Sequence, residues 1–205
     1  MMKVFHWLKS HRVLLRLVVL WLICAVLFAV AWTVSYHLLP EGVLRGKLLA
    51  GRLPVETSQL ATTFLRIYAV NLFVSCGLLV VANLFRVGET PLGYLVVMGH
   101  SVIYGILLGT NSFGIPAAAR FAPSLMTLLG RSGAFEITAY IGIAVATQGF
   151  VIWRQRSWLD WRSERVGSWR RWRLDWLEMV VVIGALLLLA AANYREALQM
   201  QQLVR

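Results

Sequence analysis

The chain has 205 residues, of which 59% are hydrophobic and 14% charged, with a mean hydropathy of +0.70; soluble domains run nearer about 45–50% apolar and about 25% charged, so an ordinary water-soluble domain is excluded. The net charge of +11 would suit nucleic acid, but its placement excludes that class. Lys3, Lys9, Arg12 and Arg16, then Arg86, then seven arginines from Arg154 to Arg173 all abut apolar runs, where basic residues act as topology signals and contacts to anionic lipid.

An all-α, polytopic helical bundle of about five spans is expected, as one membrane domain over 1–205. The first span is expected over 13–39. Ala29-Val30-Ala31 resembles a leader-cleavage site, but the apolar run continues to Leu39, longer than a typical signal core, and predicts a retained membrane helix. Residues 40–61 carry three glycines, a second proline and scattered charges, and predict an interfacial helix or loop. The second and third spans are expected over 62–85 and 91–109. Residues 110–132 mix turn residues with Phe113, Phe121, Leu125 and Met126, the pattern of a re-entrant or interface-lying segment. The fourth span is expected over 133–153 and the fifth over 177–194.

Between those last two spans, 154–176 alternates Trp with Arg. Trp153, Arg154, Trp158, Arg162, Trp169, Arg170, Arg171, Trp172 and Arg173 predict a lipid-interface helix, indoles at the acyl boundary and guanidiniums on phosphates. A docking surface for a soluble partner such as a cytoplasmic ATPase is the second reading of this segment. Counting Lys and Arg across the connections puts the N-terminus on the cytoplasmic side of the membrane and the C-terminus outside.

Polar residues inside spans are costly and therefore candidates for function. They are Arg66 and Asn71 in the second span, His100 in the third, and Glu136 at the head of the fourth; Glu178 opens the fifth span, and Arg195-Glu196 close it. Below Glu136 runs a stripe of small residues, Ala139, Gly142 and Ala146. Ser101, Gly105 and Gly109 make a matching stripe on the third span, so the two stripes are expected to pack together. A pair between Glu136 and Arg66 would fix helix register; an ion or proton site is the sharper alternative. Cys24 and Cys76 lie in apolar runs and read as buried structural thiols. The four scattered histidines make no metal constellation, and no Gly-rich phosphate loop, serine elbow or His-Glu-x-x-His pair is present, so neither cofactor, metal nor catalytic set is expected.

Phe64-Leu65-Arg66-Ile67-Tyr68-Ala69-Val70-Asn71-Leu72, the glycine-rich run from Gly99-His100 to Gly109, Gly133-Ala134-Phe135-Glu136-Ile137-Thr138-Ala139, and Ala191-Ala192-Asn193-Tyr194-Arg195-Glu196 occur in that order. In this order of motifs the chain resembles the stage II sporulation protein M (SpoIIM)-like family, over roughly residues 62–200. It departs from the family at Gly99-His100, where Asn-Gly is usual, and at Ser132, where His is common. The resemblance implies a multi-span protein working within a larger assembly, near transport machinery or envelope remodelling. The leading expectation is thus a non-enzymatic membrane subunit with other membrane subunits, anionic lipids or further copies of itself as partners. A solute, ion or proton-coupled carrier using Glu136 and His100 is the alternative, and an intramembrane enzyme the second.

Overall fold

The computed structural model describes residues 12–47, 59–113, 117, 119–160 and 162–204. Lys3, Lys9, residues 48–58 of the first connection and Trp161 lie outside the described residues, as does the Arg171 side chain.

The chain is mostly helical, and four helices are long and apolar enough to cross a membrane. The first, α1 (Val13–Leu38), is apolar all round. Val13, Arg16, Leu20, Cys24, Phe28, Trp32 and Ser35 recur every three or four residues and form its buried face, while Leu14, Val18, Leu22, Val26 and Val30 point outward, each more than half exposed. A helix of this kind belongs in an apolar surrounding. The second is a continuous helix, Leu60–Asn83, made of α2 (Leu60–Val70), a π-helical segment over Asn71–Cys76, and α3 (Gly77–Asn83). The third, α4 (Leu92–Gly109), starts directly after Pro91, whose missing amide costs a helix start nothing. After a six-residue helix, α5 (Leu125–Gly130), come α6 (Gly133–Ala146) and the long α7 (Trp176–Val204).

Two glycines set how closely α1 and α4 approach. A Cβ on Gly105 would lie 2.6 Å from Phe28 O and 2.9 Å from Trp32 N, and one on Gly109 would lie 2.7 Å from Trp32 O. The small stripe of α4 therefore meets α1. That of α6 meets α7, with Gly142 against Ala185 and Val181. The glycines of the two stripes thus meet other helices and not each other; between α4 and α6, Tyr104 lies against Gly133 and His100 against Tyr140. At one end of the bundle, the Arg120 guanidinium donates to Gly109 O, Ser35 O and Leu39 O at 2.8–3.1 Å. One side chain thereby satisfies the carbonyls of Leu39 and Gly109, which the ends of α1 and α4 leave without helical partners, and adds a second donor to Ser35 O, which already accepts the Leu39 amide.

The fourth expected span is shorter than expected. Helix α6 has 14 residues, about 21 Å at 1.5 Å per residue, against a hydrocarbon layer of about 30 Å. Its end is closed from outside. Buried Asn83 donates to Ala144 O at 2.9 Å and to Thr147 Oγ1 at 2.8 Å, and Thr147 donates back to Ile143 O.

Beyond that end, the all-α expectation gives way to a small four-stranded sheet. β1 (Phe85–Val87) pairs antiparallel with β2 (Thr90–Pro91) and parallel with β3 (Trp153–Gln155), which pairs antiparallel with β4 (Ser163–Arg165), in the order β2-β1-β3-β4. The second span stops at Asn83 because Phe85 belongs to β1. The described residues of 154–176 form no interfacial helix: they supply β4, part of β3 and a 3₁₀ turn, Trp169–Arg171, before α7 begins at Trp176. The alternation of Trp and Arg has the period of a strand as readily as that of a surface helix, and Phe85–Val87 offers β3 a hydrogen-bonding partner. Parallel pairing sets Arg86 opposite Arg154; Glu89 lies between them and forms ion pairs with both.

Candidate functional site: a buried carboxyl pair

Glu136 stands in the first turn of α6 and is 2% exposed. Tyr104 of α4 donates its hydroxyl to Glu136 Oε2 at 2.9 Å. The Tyr104 ring lies against Gly133, where any side chain would collide with it: a Cβ would stand 2.6 Å from Cδ1 and 2.7 Å from Cζ. Glycine at that position is thus what lets the phenol reach the carboxyl. Glu136 Oε1 is buried and has no hydrogen-bond partner. Beside the same carboxyl lie Ser132 and the carboxyl of Glu196, which comes from α7.

The neighbouring cation is Arg131. Its guanidinium stacks over the Phe121 ring at 3.9 Å and acts on Glu196 without closing to an ion pair. Burial lowers the Arg131 guanidinium from its ordinary value, and Tyr104 and Glu196 partly restore it.

A band of polar side chains continues inward from this pair. One turn along α6, Tyr140 is buried with Ser75 beside its hydroxyl, and the His100 ring packs on it at 5.6 Å. His100 Nδ1 meets Val96 O of its own helix at 2.9 Å. Asn71 donates to Asn193 Oδ1 at 2.9 Å, leaving the buried Asn193 Nδ2 without a partner. Asn71, Ser75 and Cys76 all come from the π-helical segment. Such segments are rare and recur at functional sites, because the wider turn aims side chains off the regular helical faces.

A second polar group closes the sheet end. Arg16 of α1 pairs with Glu178 of α7 at 3.3 Å, with side chains 6% and 15% exposed. Tyr94 donates to Gln148 Oε1 at 3.4 Å, and Arg86 donates to Gln148 O at 3.3 Å.

Of the residues singled out from sequence, the structure sets Glu136 in the carboxyl pair, Asn71 and His100 along the adjoining band, and Arg66 outside it. None of the ion pairs among the described residues joins Arg66 to Glu136; the partner is a second acid and a phenol. Tyr104, Tyr140, Ser75 and Asn193 were not anticipated, and Glu196 was placed only at the end of its span. The available signal was that Glu136 opens one expected span and Glu196 closes the next, antiparallel one, so both fall at the same end of the bundle. No family model, curated protein or solved structure matches the chain, and the resemblance to SpoIIM-like proteins rests on the order of its motifs.

Proposed function

We propose that the chain is an integral protein of a bacterial or archaeal inner membrane, its sheet on the cytoplasmic side, and that it carries a small solute or ion in company with a proton held between Glu136 and Glu196. The observation that carries this reading is the buried, unpartnered Glu136 Oε1 beside a second carboxyl. Two ionised carboxylates held together out of water repel each other, so the pair holds a proton or a cation. The N-terminal end of α6 favours one negative charge there, not two. Two carboxyls and one phenol supply too few oxygens for Ca²⁺, which takes six to eight, and the proton is the better fit. The inert alternative, a carboxylate matched one-to-one by Arg66, is not what this geometry offers.

The test is proton movement in proteoliposomes carrying an internal pH dye, under an imposed potassium diffusion potential and with a panel of amino acids, sugars and inorganic ions added in turn. Proton entry with wild-type protein that Glu136→Gln abolishes, with insertion and fold intact, supports the reading. Absence of proton movement under every condition, or an undiminished rate in Glu136→Gln, overturns it.

One observation favours the subunit reading instead. Only 11% of the spanning window of Leu60–Asn83 is buried, and Leu65 and Phe73 on it are 60% and 75% exposed, a face broad enough for a partner helix. Purification in mild detergent followed by mass spectrometry separates the two: a stoichiometric membrane partner supports the subunit reading, and the chain alone argues against it.

A further inference from the structure

The sheet gathers the ends of α3, α4, α6 and α7 on one face of the bundle, where α1 also begins. The acids of this face are already engaged. Glu89 pairs with Arg86 and Arg154, and Glu164 with Arg156 at 2.7 Å. Asp160 Oδ1 accepts the Arg162 amide at 3.0 Å. Asp175 and Glu178 accept each other's amides in a capping box that starts α7, and Glu178 also holds Arg16. Arg162, Arg165, Arg170 and Arg173 are exposed and take part in no ion pair among the described residues. Between β3 and β4 the hairpin ends in Trp158, 59% exposed, and Leu159, 92% exposed.

We infer that this face is a docking surface for anionic phospholipid headgroups, with the Trp158-Leu159 tip entering the acyl boundary of the same leaflet. Three features select lipid as the occupant. Four guanidiniums lack counter-charges, and each one near an anionic leaflet is worth about fivefold in affinity. An exposed indole next to an exposed leucine suits the boundary between headgroups and chains, where one end is wet and the other apolar. The helices that the sheet joins are those long enough to cross a membrane, together with α6, so the sheet is held beside the headgroups whether or not anything else binds. An acidic soluble protein would satisfy the charges but would leave Leu159 in water. The inference is independent of the carboxyl pair.

Native mass spectrometry of the solubilised chain with added phosphatidylglycerol or phosphatidylcholine reads the first feature. Wild type retains phosphatidylglycerol in preference, and the combined Arg162→Gln, Arg165→Gln, Arg170→Gln and Arg173→Gln variant loses that preference by roughly 600-fold, four factors of about five. Leu159→Cys carrying a nitrobenzoxadiazole dye reads the second, and labelling is selective because Cys24 and Cys76 are buried. In phosphatidylglycerol-containing nanodiscs the dye shifts to the blue and is quenched by spin-labelled lipid. Equal retention of the two lipids by wild type, or an undiminished preference in the arginine variant, overturns the inference. So does a dye at position 159 quenched by aqueous iodide and not by lipid, a result that hands the surface to an acidic protein partner.

Discussion

Gly133→Ala is the smallest change that reaches the carboxyl pair without touching it. The added methyl falls into the Tyr104 ring, within 2.7 Å of Cζ, closer than side-chain carbons come to one another in folded proteins. Two responses are open. If the ring stays, overpacking costs about 1–3 kcal/mol. If it turns away, the 2.9 Å bond from Tyr104 to Glu136 Oε2 is lost, worth about 1.5–3 kcal/mol for a charged acceptor. Against either stands the better helix propensity of alanine, at most about 1 kcal/mol. Clash wins, and the net loss is about 0.5–2 kcal/mol. For a chain of this size that lowers the melting midpoint in detergent by roughly 2–8 °C. The control is the same substitution in a Tyr104→Ala background, where the methyl has room; there Gly133→Ala changes stability by less than about 0.5 kcal/mol. Size-exclusion thermostability of the four proteins closes the cycle. An equal cost in both backgrounds would refute the claim that Gly133 exists to admit the Tyr104 ring.

Gly105→Ala, which meets the backbone of α1 at Phe28 and Trp32, lowers stability by about 3 kcal/mol because backbone cannot turn aside; Gly99→Ala, with nothing within 4 Å, leaves the same melting assay unchanged or slightly raised. Arg16→Gln strands Glu178 in a nearly closed site and costs toward the lower end of about 3–5 kcal/mol, since Glu178 keeps 15% exposure. Arg16→Met with Glu178→Gln recovers most of that stability, because glutamine still serves the capping box. Arg120→Lys loses about 1–2 kcal/mol, as one ammonium cannot span the carbonyls of Ser35, Leu39 and Gly109. Faster amide exchange at the ends of α1 and α4 would accompany that loss.

Membrane helices are legible in a sequence because an apolar surrounding forces the backbone to bond within each segment, and a run such as 13–39 leaves few other choices. Glu136 was visible for the same reason: a carboxyl at the head of an apolar run is expensive. Its partner was not. Charge complementarity pointed to Arg66, but which neighbour a side chain meets is decided by helix rotation and crossing. Here Gly133 admits Tyr104 and the antiparallel α7 brings in Glu196. Gly105 and Gly109 are places of close approach, and what they meet is α1, where the small residues Ala31 and Ser35 stand one turn apart beside Phe28 and Trp32. The sheet was illegible because strands of two and three residues fall below any window that reveals periodicity. They exist only through pairing between Phe85–Val87 and Trp153–Gln155, far apart in the chain. The π-helical segment at Asn71–Cys76 likewise has no marker in its residues, although it aims Asn71 and Ser75 into the polar band.

The most direct test of the central claim is an infrared titration of wild type, Glu136→Gln and Glu196→Gln in lipid, following the C=O stretch of protonated carboxyls. A shared proton predicts a protonated-carboxyl band in the wild type, and each single substitution must shift or abolish what the other residue contributes. Two carboxylates ionised throughout, or one residue titrating unchanged when the other is replaced, would contradict it.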